Sequence, residues 1–470
     1  MAIQITKKDL IWSYTGYTLN LVSGIILLPL LLKLLSQKEL GLWYSFLSIG
    51  ALVNLLDFGF SPTIMRNVSY SFGGAKKLIK EGLGEINEDN SPNVNLLNEV
   101  LYISRKIYFY IALVALFILI TIGTYYIRII TAEMAGYNHF IAWSIYSVGI
   151  AFNLYYSYWS PVLRGIGAIK ESQKATIVAR VIQILISLIG LLFSWGLIAL
   201  SVAYLLSGIV LRFISKNLFI KKTEKFKSLH GLGKKNIEGH KIKETFSAIW
   251  HNAWRIGLVC IGAYFITQAN TLICSYFLGL KVTAQYGLTL QVFGIISGFA
   301  SIIASSYLPV LNDAILRRDN IHTIKIMSLA SVLLWVTFIS GSAVFIYFGN
   351  DLINLVSHVH SILPKSMQIV MAIYLLLESN HSTFGTYIAS ENRIPFVLPA
   401  LLSGLGIVVS SLVLIYYTTL GIWGLLLSQL VIQLLYNNWK WPLVVMKKYS
   451  LTPILMISNS IKIIRKRSFN

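Results

Sequence analysis

Residues 216–244 read KNLFIKKTEKFKSLHGLGKKNIEGHKIKE, a basic, polar stretch between long apolar blocks on both sides. The division of the chain turns on it. Of 470 residues 56% are apolar and only 12% charged, with a mean hydropathy of +0.69. A soluble protein carries about 25% charged residues. Runs of roughly 20 apolar residues are long enough to cross a ~30 Å hydrocarbon core as helices. Twelve such runs are predicted, at 10–32, 40–61, 107–127, 140–163, 176–195, 197–215, 249–278, 285–308, 326–348, 366–389, 394–417 and 421–445. Six precede the basic stretch and six follow it. The expected fold is therefore all-α and polytopic, with about 12 transmembrane helices in two six-helix bundles. Its expected parts are an N-terminal bundle (1–215), a basic linker (216–247), a C-terminal bundle (248–446) and a basic tail (447–470).

The net charge of +21 suggests nucleic acid until its location is considered. With both termini in the cytoplasm, 33 of the 39 Lys and Arg fall in cytoplasmic segments. That is the positive-inside bias of a multi-pass membrane protein, reinforced by attraction to anionic membrane lipid; no nucleic-acid partner is expected. Lys7 and Lys8 precede a first apolar run too long for a signal-peptide core, so no cleavable signal is expected. Cys260 and Cys274, fourteen residues apart on one predicted helix, are too distant to pair. No phosphate-cradling glycine loop, metal-spaced His/Cys set or nucleophile elbow is present; His358 and His360 read as ordinary loop residues. Neither an enzyme nor a metal or organic cofactor is expected.

Two halves of six spans suggest a duplication about a pseudo-two-fold axis along the membrane normal. KLLSQKELGLWY (33–44) aligns with FLGLKVTAQYGL (277–288), each joining the first and second spans of its half. The second spans then end in FSP (60–62) and YLP (307–309).

Of 18 acids only Asp57 and Glu378 fall inside predicted spans, where ionisable groups are expensive and face a cavity or a partner. Tyr374, Glu378, His381, Ser382 and Gly385 share one helix face. Glu378 reads either as a buried structural acid or as a cavity acid binding a coupling proton or sodium ion, with His381 tuning it. Asp57 lies in LLDFGFSPTIMRN (55–67), on a face with Asn54 and Ser61. Pro62 is expected to end or kink that helix. Either the helix end opens on a polar cavity at the cytoplasmic rim, or Asp57 pairs with Arg66. Asn252, Arg255, Thr267, Asn270 and Cys274 fall in one sector of about 120°, at 100° per residue. Arg255 either snorkels to the headgroups or belongs to a cavity wall. Asn153, Ser157, Ser160 and Arg164 line a face among Tyr155, Tyr156, Tyr158 and Trp159, an interfacial belt or a site. Arg180 and Arg212 read as topology residues at helix ends. The inferred cavity holds Arg66, Arg164, Asn252, Arg255 and Asn270, with Asp57, Glu378 and His381 for ion coupling. It suits an anionic head on a ring-containing body.

LLDFGFSPTIMRN with the following VSYSFGG (68–74) resembles the second-span signature of polysaccharide flippases of the Wzx type, in the multidrug/oligosaccharidyl-lipid/polysaccharide exporter superfamily. RGIGAIKESQKA (164–175) resembles their fourth-to-fifth connection, and the likeness covers nearly the whole chain in span number and loop plan. The resemblance implies the multidrug-and-toxin-extruder fold and alternating access. It implies flipping of undecaprenyl-diphosphate-linked oligosaccharide repeat units across the bacterial inner membrane for O-antigen or capsule, with a polysaccharide polymerase and chain-length regulator as partners. A charged cavity in that family carries over to Arg66, Arg164, Arg255, Asp57 and Glu378. An ion-coupled multidrug or organic-cation exporter of the same fold is the alternative. A non-transporting member of a glycan-assembly complex is a third reading.

Overall fold

The structure, a computed structural model, describes residues 7–78, 92–223, 239–316, 318–357, 359–391 and 395–466. The middle of the basic linker and His358 lie outside the described residues. Every predicted span is occupied by helix. In chain order these are α1 (Lys7–Leu34), α2 (Gln37–Asn54), α3 (Phe60–Phe72), α4 (Val94–Ile118), α5 (Thr124–Ile130), α6 (Asn138–Tyr156) and α7 (Trp159–Gly165). Next come α8 (Ile169–Leu192), α9 (Leu197–Lys222), α10 (Gly239–Thr267), α11 (Ala269–Phe277), α12 (Leu280–Ala300) and α13 (Ile302–Leu316). The chain closes with α14 (Asn320–Val356), α15 (Lys365–Ala389), α16 (Val397–Tyr417), α17 (Ile422–Leu435), α18 (Asn437–Lys448) and α19 (Pro453–Lys466).

Among the described residues six helices are both long and apolar enough to cross a bilayer, or seven if the α10–α11 pair, bent by 42°, is one span. Several predicted spans are helices with a break. The span predicted at 40–61 shows the cause of one break. A 3-10 turn at Leu55–Asp57 follows α2, and Phe58 (φ 45°) and Gly59 (φ 73°) then adopt the left-handed conformation. Pro62 is not the breaker. It lies in the first turn of α3, where a missing N–H leaves no helix bond unmade. A left-handed phenylalanine is held only by its surroundings. Its ring stacks on Trp250 at 5.8 Å and fills the space over Gly257, where a Cβ would stand 2.6 Å from the ring.

The chain forms two compact units, one of Met1–Leu35 and Phe46–Cys260, the other of Ser36–Ser45 and Ile261–Asn470. In the first, α8 and α9 pack together, with α6 on α9 and α1 on α8. Its interior includes Phe46 stacked on Tyr146 at 5.4 Å and tilted on Trp143 at 5.1 Å. In the second, Gly262 and Gly404 let α10 and α16 approach closely: a Cβ on Gly262 would lie 2.6 Å from the Ala400 carbonyl carbon. Residues 36–45 belong to this unit because they dock on α12. Tyr44 lies across Gly287, and its hydroxyl donates to Gln291 Oε1 at 2.6 Å. Within this unit residues 41–44, from one of the two segments aligned in sequence, pack on residues 280–291.

The stretch read as a basic tail contains α19, which packs on α14. Met456 is fully buried there, in a cluster with Ile326, Met327, Phe384, Tyr387 and Trp441.

Candidate functional site

In the first unit the interfacial pair of Asp57 with Arg66 does not form. The Asp57 carboxylate accepts from the Tyr108 hydroxyl through Oδ1 and from the Ser61 N–H through Oδ2, at 3.3 Å. The acid therefore caps the start of α3 and ties it to α4. Arg66 is exposed, and so is Arg164. The helices that carry them touch. A Cβ on Gly165 would stand 2.7 Å from the Met65 carbonyl oxygen, so each arginine lies one residue from the contact between α3 and α7. Asn252 and Arg255 sit on α10, in the same unit, and their side chains lie outside the described residues.

The Tyr155–Tyr156 pair, an interfacial belt or a site from sequence, is engaged by arginines. Arg105 Nε donates to Tyr155 Oη at 3.1 Å, and the Arg212 guanidinium lies 3.6 Å from the centre of the Tyr156 ring. Arg212 also lines a cavity together with Arg180, Asn153, Ser157 and Ser160. Sequence reading assigned both arginines to topology, yet a signal was available. Thr176, Arg180 and Gln183 share one face of α8, and Tyr204, Gly208, Arg212 and Ser215 share one face of α9. Gly208 matters to the cavity wall, because the Asn153 side chain occupies the place a Cβ would take.

In the second unit, Asn270 is buried, with its amide fully used. Its Nδ2 donates to Gln429 Oε1 at 3.3 Å and to the Leu425 carbonyl at 3.4 Å, while Ser411 Oγ donates to its Oδ1 at 3.0 Å. These bonds join α11 to α16 and α17, the work of an interior tie. Glu378 and His381 stand one turn apart on α15, 3.7 Å between Oε2 and Nδ1, with side chains 18% and 13% exposed. His381 Nδ1 instead reaches Asn438 Oδ1 on α18, at 3.1 Å. Glu378 Oε2 is buried with no hydrogen-bond partner among the described residues. Around this pair the helix is pinned by polar contacts. Ser379 meets Ser297 of α12 at 2.6 Å, and Trp335 of α14 donates to Asn380 Oδ1 at 2.8 Å. A carboxylate held on a fixed helix with an unfilled oxygen is able to take up a proton or a small cation. No group of three or more His, Cys, Asp or Glu suited to a metal ion occurs among the described residues. His360 is buried against Ser357 at 3.0 Å, and both thiols are free.

No protein-family model matches the chain, and no characterised protein matches its sequence. Solved structures match its fold. The inward-facing conformation of a multidrug resistance MATE family transporter of the MOP superfamily has a TM-score of 0.63 at 13% identity, over 96% of this chain and 98% of that one. The same kind of transporter facing outward has a TM-score of 0.53 at 15% identity, over 94% and 96%. The lipid II flippase MurJ, in an inward closed conformation, has a TM-score of 0.59 at 12% identity, over 96% and 90%. The chain has the all-α, multi-pass membrane fold these proteins share, with about 12 helices in two bundles.

Proposed function

We propose that the protein flips a lipid-linked oligosaccharide, a polyprenyl-diphosphate-borne repeat unit, across the bacterial inner membrane by alternating access, for a surface polysaccharide such as O-antigen or capsule. The observation that carries the reading is the state of the charges in the first unit. Its one acid within a span predicted from sequence, Asp57, is taken by Tyr108 and the Ser61 N–H, while Arg66 and Arg164 remain exposed on touching helices. An organic cation wants a free carboxylate; a diphosphate wants guanidinium forks. The fold is shared by multidrug transporters and a lipid II flippase, and the charge of the first unit favours the second kind of cargo. In this reading arginines hold the diphosphate, aromatic and polar side chains meet the sugars, and the polyprenyl tail stays in lipid. Glu378 with His381 serves ion coupling.

The test is complementation in a strain lacking its own polysaccharide flippase, with surface polysaccharide and drug efflux both measured. Restored polysaccharide with no gain in drug resistance is the expected result. Drug efflux without polysaccharide would replace this reading by the exporter. Within the same assay, Arg255→Ala should abolish surface polysaccharide at normal protein levels, and Arg255→Lys should keep part of it, because the charge survives and the bidentate fork does not. Full activity of the alanine variant would remove Arg255 from the head-group site.

Orientation is checked separately. A cysteine at Lys234 should be labelled by an impermeant reagent only from the cytoplasmic side; labelling from outside would overturn the placement of both halves.

A further inference from the structure

The last helix, α19, follows the last predicted span, and its sides have different surroundings. Thr452 starts it, its hydroxyl accepting the Leu455 N–H at 3.2 Å. At about 100° per residue, Met456 and Ser460 share one side, and both are buried. Met456 sits among side chains of α14, α15 and α18. Ile454, Ile457, Ile461 and Ile464 form the next side, and all four are exposed, by 43–79%. Beyond Ile454 on the same turn of the wheel stand Arg465 and Lys462, exposed as well. No aspartate or glutamate follows Glu391 in the chain. Glu391 is itself taken, by Lys448 Nζ at 2.5 Å and by the Tyr449 hydroxyl at 2.9 Å. The positive charge of α19 thus meets no acid from its own part of the chain.

A row of four isoleucines is unfavourable in water, in proportion to its area. Position says what covers it. The cluster that holds Met456 contains Ile326 and Met327, at the start of the span predicted from 326, and Trp441 and Val445, at the end of the span predicted to 445. The helix therefore leaves the bundle where spans meet the membrane surface. Its 14 residues measure about 21 Å, too short to cross a ~30 Å core. A side buried on protein, an apolar side and a basic side are what a helix lying in the membrane boundary presents. A protein partner would cover the isoleucines and leave the cations unanswered; a leaflet with anionic lipid answers both.

We infer that α19 lies along the membrane surface, its isoleucine row among the upper acyl chains and Lys462 and Arg465 on the phosphates of anionic lipid. In the proposed orientation this is the cytoplasmic leaflet. The buried side of α19 touches α14, α15 and α18, so the lipid steadies the ends of those spans. This holds whatever the protein carries.

The test uses the full chain in nanodiscs of phosphatidylcholine, with and without phosphatidylglycerol. Cys260→Ala removes the exposed thiol and leaves the buried Cys274. Ile461→Cys then takes an environment-sensitive fluorophore, with phosphatidylcholine brominated high or low on the acyl chain as quencher. Stronger quenching by the high bromine is the expected result. Quenching by aqueous iodide alone would overturn the proposal, and so would a cross-link between two copies through the introduced thiol, which would put a second copy on the isoleucine row. Thermal stability is the second readout. Phosphatidylglycerol should raise the melting point of wild type, and Lys462→Gln with Arg465→Gln should lose most of that rise. Each cation near an anionic surface contributes about fivefold in affinity. Lys462→Arg with Arg465→Lys, which keeps both charges should the glutamines disturb folding, should keep the rise. An equal rise in wild type and the glutamine variant would overturn the assignment to anionic lipid.

Discussion

Glu378→Gln should remove any acceleration that an imposed proton or sodium gradient gives to the proposed flipping in reconstituted vesicles, while leaving folding and lipid binding intact. The glutamine keeps the shape of the side chain and deletes its ability to gain or lose a charge. The position justifies the expectation. Glu378 Oε2 is buried without a hydrogen-bond partner among the described residues, and His381 stands 3.7 Å away with its Nδ1 engaged by Asn438. An ion bound there biases two conformations only if it binds them with different affinity. The His381–Asn438 contact offers such a difference, because it joins α15 to α18 and any shift between those helices changes the cation-binding surroundings of the acid. A tenfold difference in ion affinity is worth about 1.4 kcal/mol of bias. Glu378→Asp should be milder, and His381→Asn should alter the pH dependence without abolishing transport. If a gradient accelerates wild type and the glutamine variant equally, Glu378 is a structural acid and the coupling proposal fails.

Gly41→Ala should be among the most damaging single methyl additions in the second unit. A Cβ at that position would collide with the Leu280 carbonyl oxygen and lie 2.8 Å from its carbon and 3.2 Å from the Ala284 nitrogen. All three are backbone atoms, so no side-chain rotation relieves the overlap and α2 must separate from α12. Overpacking of this kind costs about 1–3 kcal/mol and occasionally more. A lower melting point than wild type is expected in detergent. Gly294→Ala is the internal control. It lies on the same α12 with nothing within 4 Å of its would-be Cβ, and alanine is the better helix former. It should melt at or slightly above wild type. Equal melting of the two variants would show that Gly41 is not at a close contact. The prediction matters beyond stability, because this contact joins the segments whose sequence likeness suggested the duplication.

What the sequence determined alone is where helix lies. The helix-forming apolar blocks are local features, since in lipid each backbone group must find its bond within its own segment. Hydropathy therefore located helix at all twelve predicted spans without knowledge of any partner. The single acid on the fifteenth helix and its neighbour His381 were legible for the same reason: helical periodicity alone puts them on one face. The tertiary structure decided what those side chains meet. Asp57 finds Tyr108, fifty-one residues on, rather than Arg66, nine residues on, because the helix breaks at Phe58 and Gly59 and not at Pro62. That break is held by Trp250, from the far side of the basic linker. Asn270, read as cavity wall, is spent on Ser411 and Gln429. Arg180 and Arg212 looked like isolated topology charges until α8 and α9 packed and brought them to one cavity. Partner choice between helices depends on crossing geometry and on small residues such as Gly41, Gly165 and Gly208. A charge's meaning in this chain is set by neighbours tens to hundreds of residues away, and no pattern within one helix encodes them.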